Sequence, residues 1–141
     1  MTKQYWLTPP DIYNELHKEF HFDFDPCPYP WDGVDGTETE WGASSYVNPP
    51  FRKTDTENGK GPTAFVRKAI EEHKKGKTVV LMMNTVSWIN MMVEAGAEIR
   101  AMGRVRWLDT KTSEPWSSPS PTTCFILKGT DCTDEPKEQP L

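Results

Sequence analysis

Cysteine is scarce in this sequence of 141 residues. The three cysteines, Cys27, Cys124 and Cys132, are odd in number and show no Cys-x-x-Cys spacing, which argues against a disulfide framework and against a structural zinc site built from cysteine pairs. The chain also begins without an apolar signal segment. We therefore expect a protein of a reducing, cytoplasmic compartment, without disulfides and without a structural metal.

Long apolar runs are lacking as well. The longest, Val79 to Met83, has the length of a strand, whereas a membrane-spanning helix needs about 20 apolar residues. We expect a soluble protein with no membrane partner. A chain of this size can bury roughly two thirds of its unfolded surface in one core, so we expect one domain within these residues and no second large one.

Positive charge is in deficit overall. The net charge of −5 argues against a nucleic-acid partner, because affinity for phosphates comes largely from lysine and arginine. Its distribution weakens that objection, since residues 52–111 hold 12 basic and 7 acidic side chains between two acidic flanks. Either a basic binding face or ordinary solvated helix faces would produce this pattern.

Segments with helical and strand-like patterns alternate along the chain. Thr8 and Pro9 are expected to begin one helix and Thr63 another, and short strands are expected at 22–25, 45–47, 78–83, 98–102, 104–108 and 122–127. This order predicts an α/β domain over residues 1–128 with a largely parallel sheet and flanking helices. Residues 129–141 are charged and contain two prolines, which predicts a disordered acidic tail.

One short segment contains two consecutive prolines, which a regular helix or strand does not tolerate well. Asn48-Pro49-Pro50-Phe51 follows a predicted strand, and each of its prolines lacks an amide donor and restricts the preceding residue. The loop must be stiff, and stiffness suits a group that positions a weak nucleophile. A rigid turn with no further role is the alternative, although a turn rarely requires this combination directly after a strand.

The exocyclic amine of adenine is such a nucleophile, because its lone pair is delocalised into the ring. The Asn48 side-chain oxygen and the Pro49 carbonyl, aimed at its two N–H bonds, would draw that pair toward a tetrahedral arrangement, and Phe51 would stack on the base. The group transferred to this amine could be a methyl group from a sulfonium. Because a positively charged sulfonium is a good methyl donor, no residue has to act as a strong base when the amine attacks. The adenine must be single-stranded or flipped out of a duplex. The basic residues after the loop that would hold the nucleic-acid backbone are Arg52, Lys53 and Lys60.

Other charged and aromatic residues allow two interpretations. Arg104 and Arg106 alternate along a predicted strand and so face one side, where they contact phosphate or are simply solvated. Asp25 ends another strand and either caps a turn or contacts a cofactor. Trp6 and Trp41 are interpreted as packing residues, and a platform on which a base stacks is the alternative.

An ordered set of motifs resembles the phage-type DNA N-6-adenine methyltransferases from about Trp6 to Leu127. Its members are Trp6-x-Thr8-Pro9, Phe22-Asp23-Phe24-Asp25-Pro26, Trp41, Tyr46-Val47-Asn48-Pro49-Pro50-Phe51 and Gly103-Arg104-Val105-x-Trp107. The resemblance implies a Rossmann-like methyltransferase fold, S-adenosylmethionine as cofactor, adenine in DNA as substrate, and the host cytoplasm as location if the protein is phage-encoded. It also implies that Thr8 and Pro9 help to hold the cofactor and that Asp25 and Pro26 lie at the first cofactor-binding loop.

Two features depart from the usual pattern of such folds. The loop Asp25-Pro26-Cys27-Pro28 takes the place of a glycine-rich loop and offers fewer amide donors. The stretch 26–45 is too short for two further helix and strand units, so we expect the sheet to be trimmed on that side. The acidic residue that usually holds the ribose hydroxyls would lie on the missing part, and the candidates to replace it are Asp32, Asp35 and Glu38.

The sequence thus predicts a site-specific DNA adenine-N6 methyltransferase that uses S-adenosylmethionine. Two alternatives stay open. The same fold could methylate a glutamine side chain in a protein or a base in RNA, or the chain could be a nucleic-acid-binding module that has lost catalysis.

Overall fold

The computed structural model describes residues 6–30, 32–50, 60–83, 88–117 and 121–129. Within these ranges the chain forms three helices and seven strands. The helices are α1 (Pro10–Phe20), α2 (Pro62–Lys74) and α3 (Ile89–Glu94); the strands are β1 (Trp6–Leu7), β2 (Ser44–Val47), β3 (Thr78–Met83), β4 (Glu98–Gly103), β5 (Arg106–Asp109), β6 (Pro115–Ser117) and β7 (Thr122–Leu127). No helix in this part of the chain is both long enough and apolar enough to cross a membrane.

Proline begins both long helices. Pro9 precedes α1 and Pro10 is its first residue, while Gly61 precedes α2 and Pro62 is its first residue. A proline is suited to this position because its missing N–H would have no partner inside the helix. Thr8 was expected to cap α1, but its side chain contacts Tyr46 instead, so the helix begins without a side-chain cap.

The main sheet has the strand order β2-β3-β7-β4. β2 and β3 are parallel, and Phe24 forms a parallel bridge to Ser45 on the outer side of β2. β7 is antiparallel to both of its neighbours, β3 and β4. The predicted largely parallel sheet is therefore not confirmed, because two of the three strand pairs are antiparallel.

The position of β7 is the physical reason for this difference. Since β3 and β4 are both antiparallel to β7, they run in the same direction as each other and as β2. Helix α2 connects β2 to β3, and α3 connects β3 to β4, as expected of parallel strands joined by crossovers. β7 then inserts between β3 and β4 in the opposite direction and replaces a parallel pair with two antiparallel ones.

The apolar core lies on both faces of this sheet, because side chains of β3 alternate between them. Val79, Leu81 and Met83 pack with α2 and α3 on one face, and Val80 and Met82 pack on the other face with α1. The mixed α/β architecture is thus a sheet between two helical layers.

A second sheet, of order β1-β5-β6, is antiparallel throughout. β1 and β6 were not predicted from the sequence. Buried Val105 and Trp107, in and next to β5, join the core on the α1 side. This sheet therefore carries the first described residues, Trp6 and Leu7, on a firmly packed support.

The described part of residues 26–43 contains neither helix nor strand, as the expected trimming of the sheet requires. Gly36 lies so close to Pro26 that an added Cβ would be 1.9 Å from the Pro26 carbonyl oxygen. The Gly36 carbonyl in turn accepts a hydrogen bond from the Trp41 indole nitrogen at 2.7 Å. Trp41 is buried, as interpreted from the sequence, so the loop folds back onto the residue that follows Asp25.

A buried carboxylate fixes the other end of this loop. Glu72 of α2 is fully buried and pairs with Lys68 at 2.8 Å, Lys75 at 3.1 Å and Lys77 at 2.6 Å, and it accepts the Trp41 amide at 3.3 Å. Burial raises the pKa of Glu72, but the hydrogen bonds from the three lysines outweigh burial and bring the pKa to about 2. The cluster thus joins α2, the start of β3 and the end of the loop.

Of the predicted tail 129–141, all but Gly129 lies outside the described residues. Gly129 is packed, because its amide donates to the Thr78 hydroxyl at 2.9 Å and an added Cβ would be 2.4 Å from the Gly76 carbonyl oxygen. The disordered tail after this residue stays a prediction.

Candidate active site

Asn48, Pro49 and Pro50 follow directly on β2, at the carboxyl end of the strand. Parallel β3 lies on one side of β2, where Val47 is opposite Leu81, and the bridge at Phe24 lies on the other. Pro49 is buried, while Asn48 and Pro50 are half-buried. The predicted catalytic segment therefore leaves the interior of the sheet at the edge where α/β proteins bind ligands. Phe51, the fourth residue of the motif, lies outside the described residues.

The side-chain amide of Asn48 is fixed at one of its two ends. Its Nδ2 atom donates a hydrogen bond to the Trp6 carbonyl oxygen at 2.8 Å. Because a carbonyl can only accept, this contact determines which way the amide faces. The Oδ1 atom is left buried and has no hydrogen-bond partner in the described part of the chain. An unsatisfied buried acceptor is costly, so this oxygen is suited to receive an N–H donor from a ligand.

Thr8 and Pro9, the predicted cofactor residues near the start of the chain, lie beside the same end of β2. The Thr8 hydroxyl and the hydroxyl of buried Tyr46 share a short hydrogen bond. β1 pairs with β5, with Trp6 opposite Asp109. Two supports, the second sheet and the Tyr46 hydroxyl, therefore hold residues 6–8 against the Asn48 segment.

Asp25 and Pro26 connect directly to this segment through Cys27. The Cys27 amide donates to Asp25 Oδ1 at 2.9 Å, and the Cys27 thiol donates to the Asn48 carbonyl oxygen at 3.2 Å. Pro26 is buried. One Asp25 oxygen thus stabilises a turn, which was one of the two interpretations from the sequence, and the same turn brings the predicted cofactor loop into contact with the predicted catalytic loop.

The Asp25 side chain is exposed to solvent, and the protein atoms near its carboxylate still desolvate it in part. Burial by these surroundings raises the pKa of Asp25 to about 6 against the lowering effect of the Cys27 amide, and the negative charge of Asp32 adds to the increase. Burial and then the Asp25 charge raise the pKa of Tyr13 as well. An accessible carboxylate of this kind is an acceptor for a cationic or hydroxyl-bearing ligand.

The three acidic candidates for a ribose contact differ in their surroundings. Asp35 accepts from the Thr37 amide at 2.9 Å and hydroxyl at 2.6 Å, and it pairs with Lys60 at 3.2 Å. Glu38 also pairs with Lys60, at 3.4 Å. Asp32 is exposed, accepts the Val34 amide at 3.0 Å, and is close enough to Asp25 to influence its charge. Asp32 is therefore the candidate whose charge acts on Asp25.

The predicted nucleic-acid contacts fall into three groups. Arg52 and Lys53 lie outside the described residues. Lys60 is engaged with the acidic loop through Asp35 and Glu38. Arg104 lies in a bend before β5 and Arg106 is the first residue of that strand, so the predicted strand 104–108 begins two residues later than expected. Both arginines are exposed, and no carboxylate in the described ranges pairs with either guanidinium.

Sequence reasoning missed three of the contacts that shape this site. The Trp6 carbonyl carries no sequence signal, because a main-chain acceptor is present at every position. Tyr46 was noticed only as part of the motif, and the thiol of Cys27 only as part of a loop with few amide donors. Among the described residues, no group of three or more histidine, cysteine or acidic side chains is arranged to hold a metal ion.

Comparison with curated proteins and with solved structures returned no match. The family model described as DNA N-6-adenine-methyltransferase (Dam) matches residues 1–131. The match spans both sheets, the Asn48 segment and the turn at Asp25. The chain therefore belongs to the DNA N-6-adenine-methyltransferase (Dam) family.

Proposed function

We propose that this chain transfers a methyl group from S-adenosylmethionine to the exocyclic amine of adenine in DNA. The observation that carries the proposal is the buried Oδ1 of Asn48, which lacks a partner among the described residues and whose amide the Trp6 carbonyl orients. An amine with two N–H bonds supplies the donor that this oxygen lacks.

The chemistry follows from what an acceptor does to that amine. When Asn48 Oδ1 and the Pro49 carbonyl oxygen accept hydrogen bonds from its two N–H groups, the nitrogen lone pair leaves conjugation with the ring and becomes available for attack on a methyl carbon. The new nitrogen–carbon bond would replace the carbon–sulfur bond of the donor, and the nitrogen would then release one proton to solvent. Phe51 would stack on the base and hold it in register. The prolines that follow Asn48 keep the two acceptors in place in advance, so little reorganisation is needed.

The residues around Asp25 fit a cationic, ribose-bearing cofactor. S-adenosylmethionine, when bound, supplies a methyl group activated by a sulfonium. Thr8 and Pro9 would line one side of it, Asp25 and Pro26 the other, and the accessible Asp25 carboxylate would attract its positive charge. We assign the ribose hydroxyls to Asp32, because Asp35 and Glu38 are occupied by Lys60.

DNA would approach from the side of the catalytic segment with the target adenine flipped out or single-stranded, since a base inside a duplex cannot reach Asn48. We propose Arg104, Arg106, Arg52 and Lys53 as contacts to the phosphates. Lys60 belongs to the same proposal with a smaller contribution, because Asp35 and Glu38 neutralise part of its charge.

The test is transfer of a labelled methyl group from S-adenosylmethionine to adenine-containing DNA, to RNA, and to a protein with accessible glutamines. We expect label in DNA alone, at the adenine N6 position. Label in RNA or protein instead would overturn the substrate assignment, and no cofactor binding by calorimetry would favour a nucleic-acid-binding module without catalysis.

The Asn48→Ala variant separates the roles of the two loops. It should abolish transfer while the cofactor affinity stays within about twofold of the wild-type value, because Asn48 acts on the amine. If transfer and cofactor affinity fall together, the roles of the catalytic and cofactor loops have been assigned wrongly.

A further inference from the structure

Tyr46 occupies an unusual place for a residue with a polar group. It lies in β2 two residues before Asn48, and only 4% of its surface is exposed. Its ring packs on Tyr13 at 5.1 Å and on Phe22 at 5.3 Å between centroids. A phenylalanine would fill the same apolar space, so packing alone does not account for the hydroxyl.

The Tyr46 hydroxyl forms a hydrogen bond with the side-chain oxygen of Thr8. Burial raises the pKa of Tyr46 above its usual range, so the group stays protonated and available for this bond. A buried hydroxyl without a partner is costly, and the bond therefore fixes where Thr8 lies relative to β2.

Thr8 is two residues from Trp6, and the Trp6 carbonyl is the atom that orients the Asn48 amide. The contact runs through main chain, so the side chain of Trp6 does not provide it. What places this carbonyl is the course of residues 6–8, held by β5 on one side and by the Tyr46 hydroxyl on the other. Tyr46 in β2 and Asn48, which follows the strand, are thus connected a second time through the residues before α1.

We propose that Tyr46 is a positioning residue for methyl transfer. Its hydroxyl holds Thr8, and through Thr8 it keeps the Trp6 carbonyl where the Asn48 amide nitrogen donates to it and the Oδ1 atom remains available to the target amine. The inference rests on the proposed function, and it assigns Tyr46 no contact with adenine or cofactor.

Tyr46→Phe is the direct test, and Tyr13→Phe is its matched control. Both changes remove one hydroxyl from the same aromatic cluster, but the Tyr13 hydroxyl forms no hydrogen bond within the described part of the chain. We expect Tyr46→Phe to lower kcat by between about 10-fold and 100-fold, as a small misplacement of a catalytic group does. The KM for DNA should stay within about twofold, the KM for cofactor is expected to rise together with the loss in kcat because Thr8 also lines the cofactor, and Tyr13→Phe should leave all three constants within about twofold. An unchanged kcat in Tyr46→Phe overturns the proposal.

Thr8→Val shows whether the effect passes through Thr8. If it does, the kcat losses of Tyr46→Phe and Thr8→Val are not additive, because either change breaks the same hydrogen bond. Additive losses would mean that Tyr46 acts by another route and would refute the proposed mechanism. Thr8→Ser keeps the hydroxyl and should restore most of the kcat that Thr8→Val loses.

A readout without turnover separates this inference from the proposed function. The side-chain amide protons of Asn48 give their own nuclear magnetic resonance signals, and these should shift in Tyr46→Phe and stay in place in Tyr13→Phe. Signals that stay in place in both variants overturn the positioning role. If they shift as expected while the wild-type chain methylates no substrate, the contact network stands and the proposed reaction is the part that fails.

Discussion

The side-chain nitrogen of Asn48 lies 2.8 Å from the carbonyl oxygen of Trp6, although 42 positions separate the two residues in the sequence. The contact demands a donor at this position and leaves the acceptor of the same amide without a partner in the described part of the chain. An aspartate has the shape of asparagine but offers only acceptors. Its carboxylate would face the Trp6 carbonyl with like partial charge.

Asn48→Asp is therefore expected to lower kcat by about 100-fold or more, the loss typical when a transition-state hydrogen-bonding group is removed. Methyl transfer to DNA at saturating substrate measures it. Asn14→Asp adds the same negative charge on the exposed face of α1 and should retain activity. Equal losses in both variants would attribute the effect to net charge and not to the missing donor.

Gly36→Ala should weaken cofactor binding by about tenfold, since a displacement of about 1 Å in a positioned group has effects of this order. The new methyl carbon would lie 1.9 Å from the Pro26 carbonyl oxygen, and the Asp25 turn must move to admit it. Calorimetric titration with S-adenosylmethionine gives the change in Kd. Gly129→Ala creates a similar clash at the other end of β3, 2.4 Å from the Gly76 carbonyl oxygen, and should lower the Tm while leaving Kd unchanged.

The affinity for cofactor should depend on pH through Asp25, whose pKa burial raises from 3.8 to about 6. Above pH 6 the carboxylate is ionised and attracts a cationic ligand, so the Kd should rise as the pH falls from about 8 to about 5. Asp25→Asn should remove this dependence.

Lowering the pH, which should weaken cofactor binding, should make the fold itself more stable. The folded chain holds the Asp25 proton more tightly than the unfolded chain, so ionised Asp25 disfavours folding above pH 6 and the penalty disappears as the pH falls toward 3.8. Asp25→Asn should accordingly be the more stable protein at neutral pH. A variant less stable than the wild type there would contradict this account.

Glu72→Gln is expected to lower the free energy of unfolding by about 2 kcal/mol at neutral pH, because it removes hydrogen bonds to a charged group at a buried position. The pKa of Glu72 lies below its usual 4.5, at about 2. Its stabilisation is therefore complete above pH 4.5 and disappears as the pH falls toward 2. Urea unfolding should show the gap between wild type and Glu72→Gln narrowing over this interval, whereas exposed Glu71→Gln should follow the wild type at every pH.

Replacing Arg104 and Arg106 together by glutamine should weaken DNA binding and reduce the slope of log Kd against log salt concentration by about 2, because each arginine is expected to neutralise one phosphate. The control is Arg100→Gln, which removes one positive charge, half of what the double variant loses, from a guanidinium bound to Glu19 at 2.8 and 2.7 Å, and it should leave the slope unchanged. An unchanged salt slope in the double variant would mean that both arginines are only solvated.

Local pattern predicted the central strands well. Thr78–Met83 and Thr122–Leu127 were expected with the bounds that the structure has, because an apolar run of only six residues that contains β-branched side chains favours a buried strand over a helix. The two strands that were missed, Trp6–Leu7 and Pro115–Ser117, have two and three residues. Segments this short have no measurable period, and only their pairing with β5 makes them strands.

What the sequence could not supply were partners distant along the chain. Nothing local indicates that β7 enters between β3 and β4, since periodicity reports burial but not direction. Likewise, threonine is a residue type that often caps a helix, but the Thr8 side chain bonds to Tyr46, 38 positions later, and does not cap α1. The Asn-Pro-Pro segment could be found from the sequence because its backbone restriction comes from adjacent residues. The Trp6 carbonyl that orients Asn48 could not be found, because it lies far away along the chain.

The insertion of β7 has a consequence for how the protein is made. β4 leaves the ribosome before β7 is complete, and β7 is its neighbour in the main sheet. Until synthesis reaches Thr122, β3 and β4 each present an open edge to other chains. Because β7 is the only partner of β4 in the main sheet of the described residues, β4 joins that sheet only when β7 pairs with β3, so assembly cannot proceed simply from the first residue to the last.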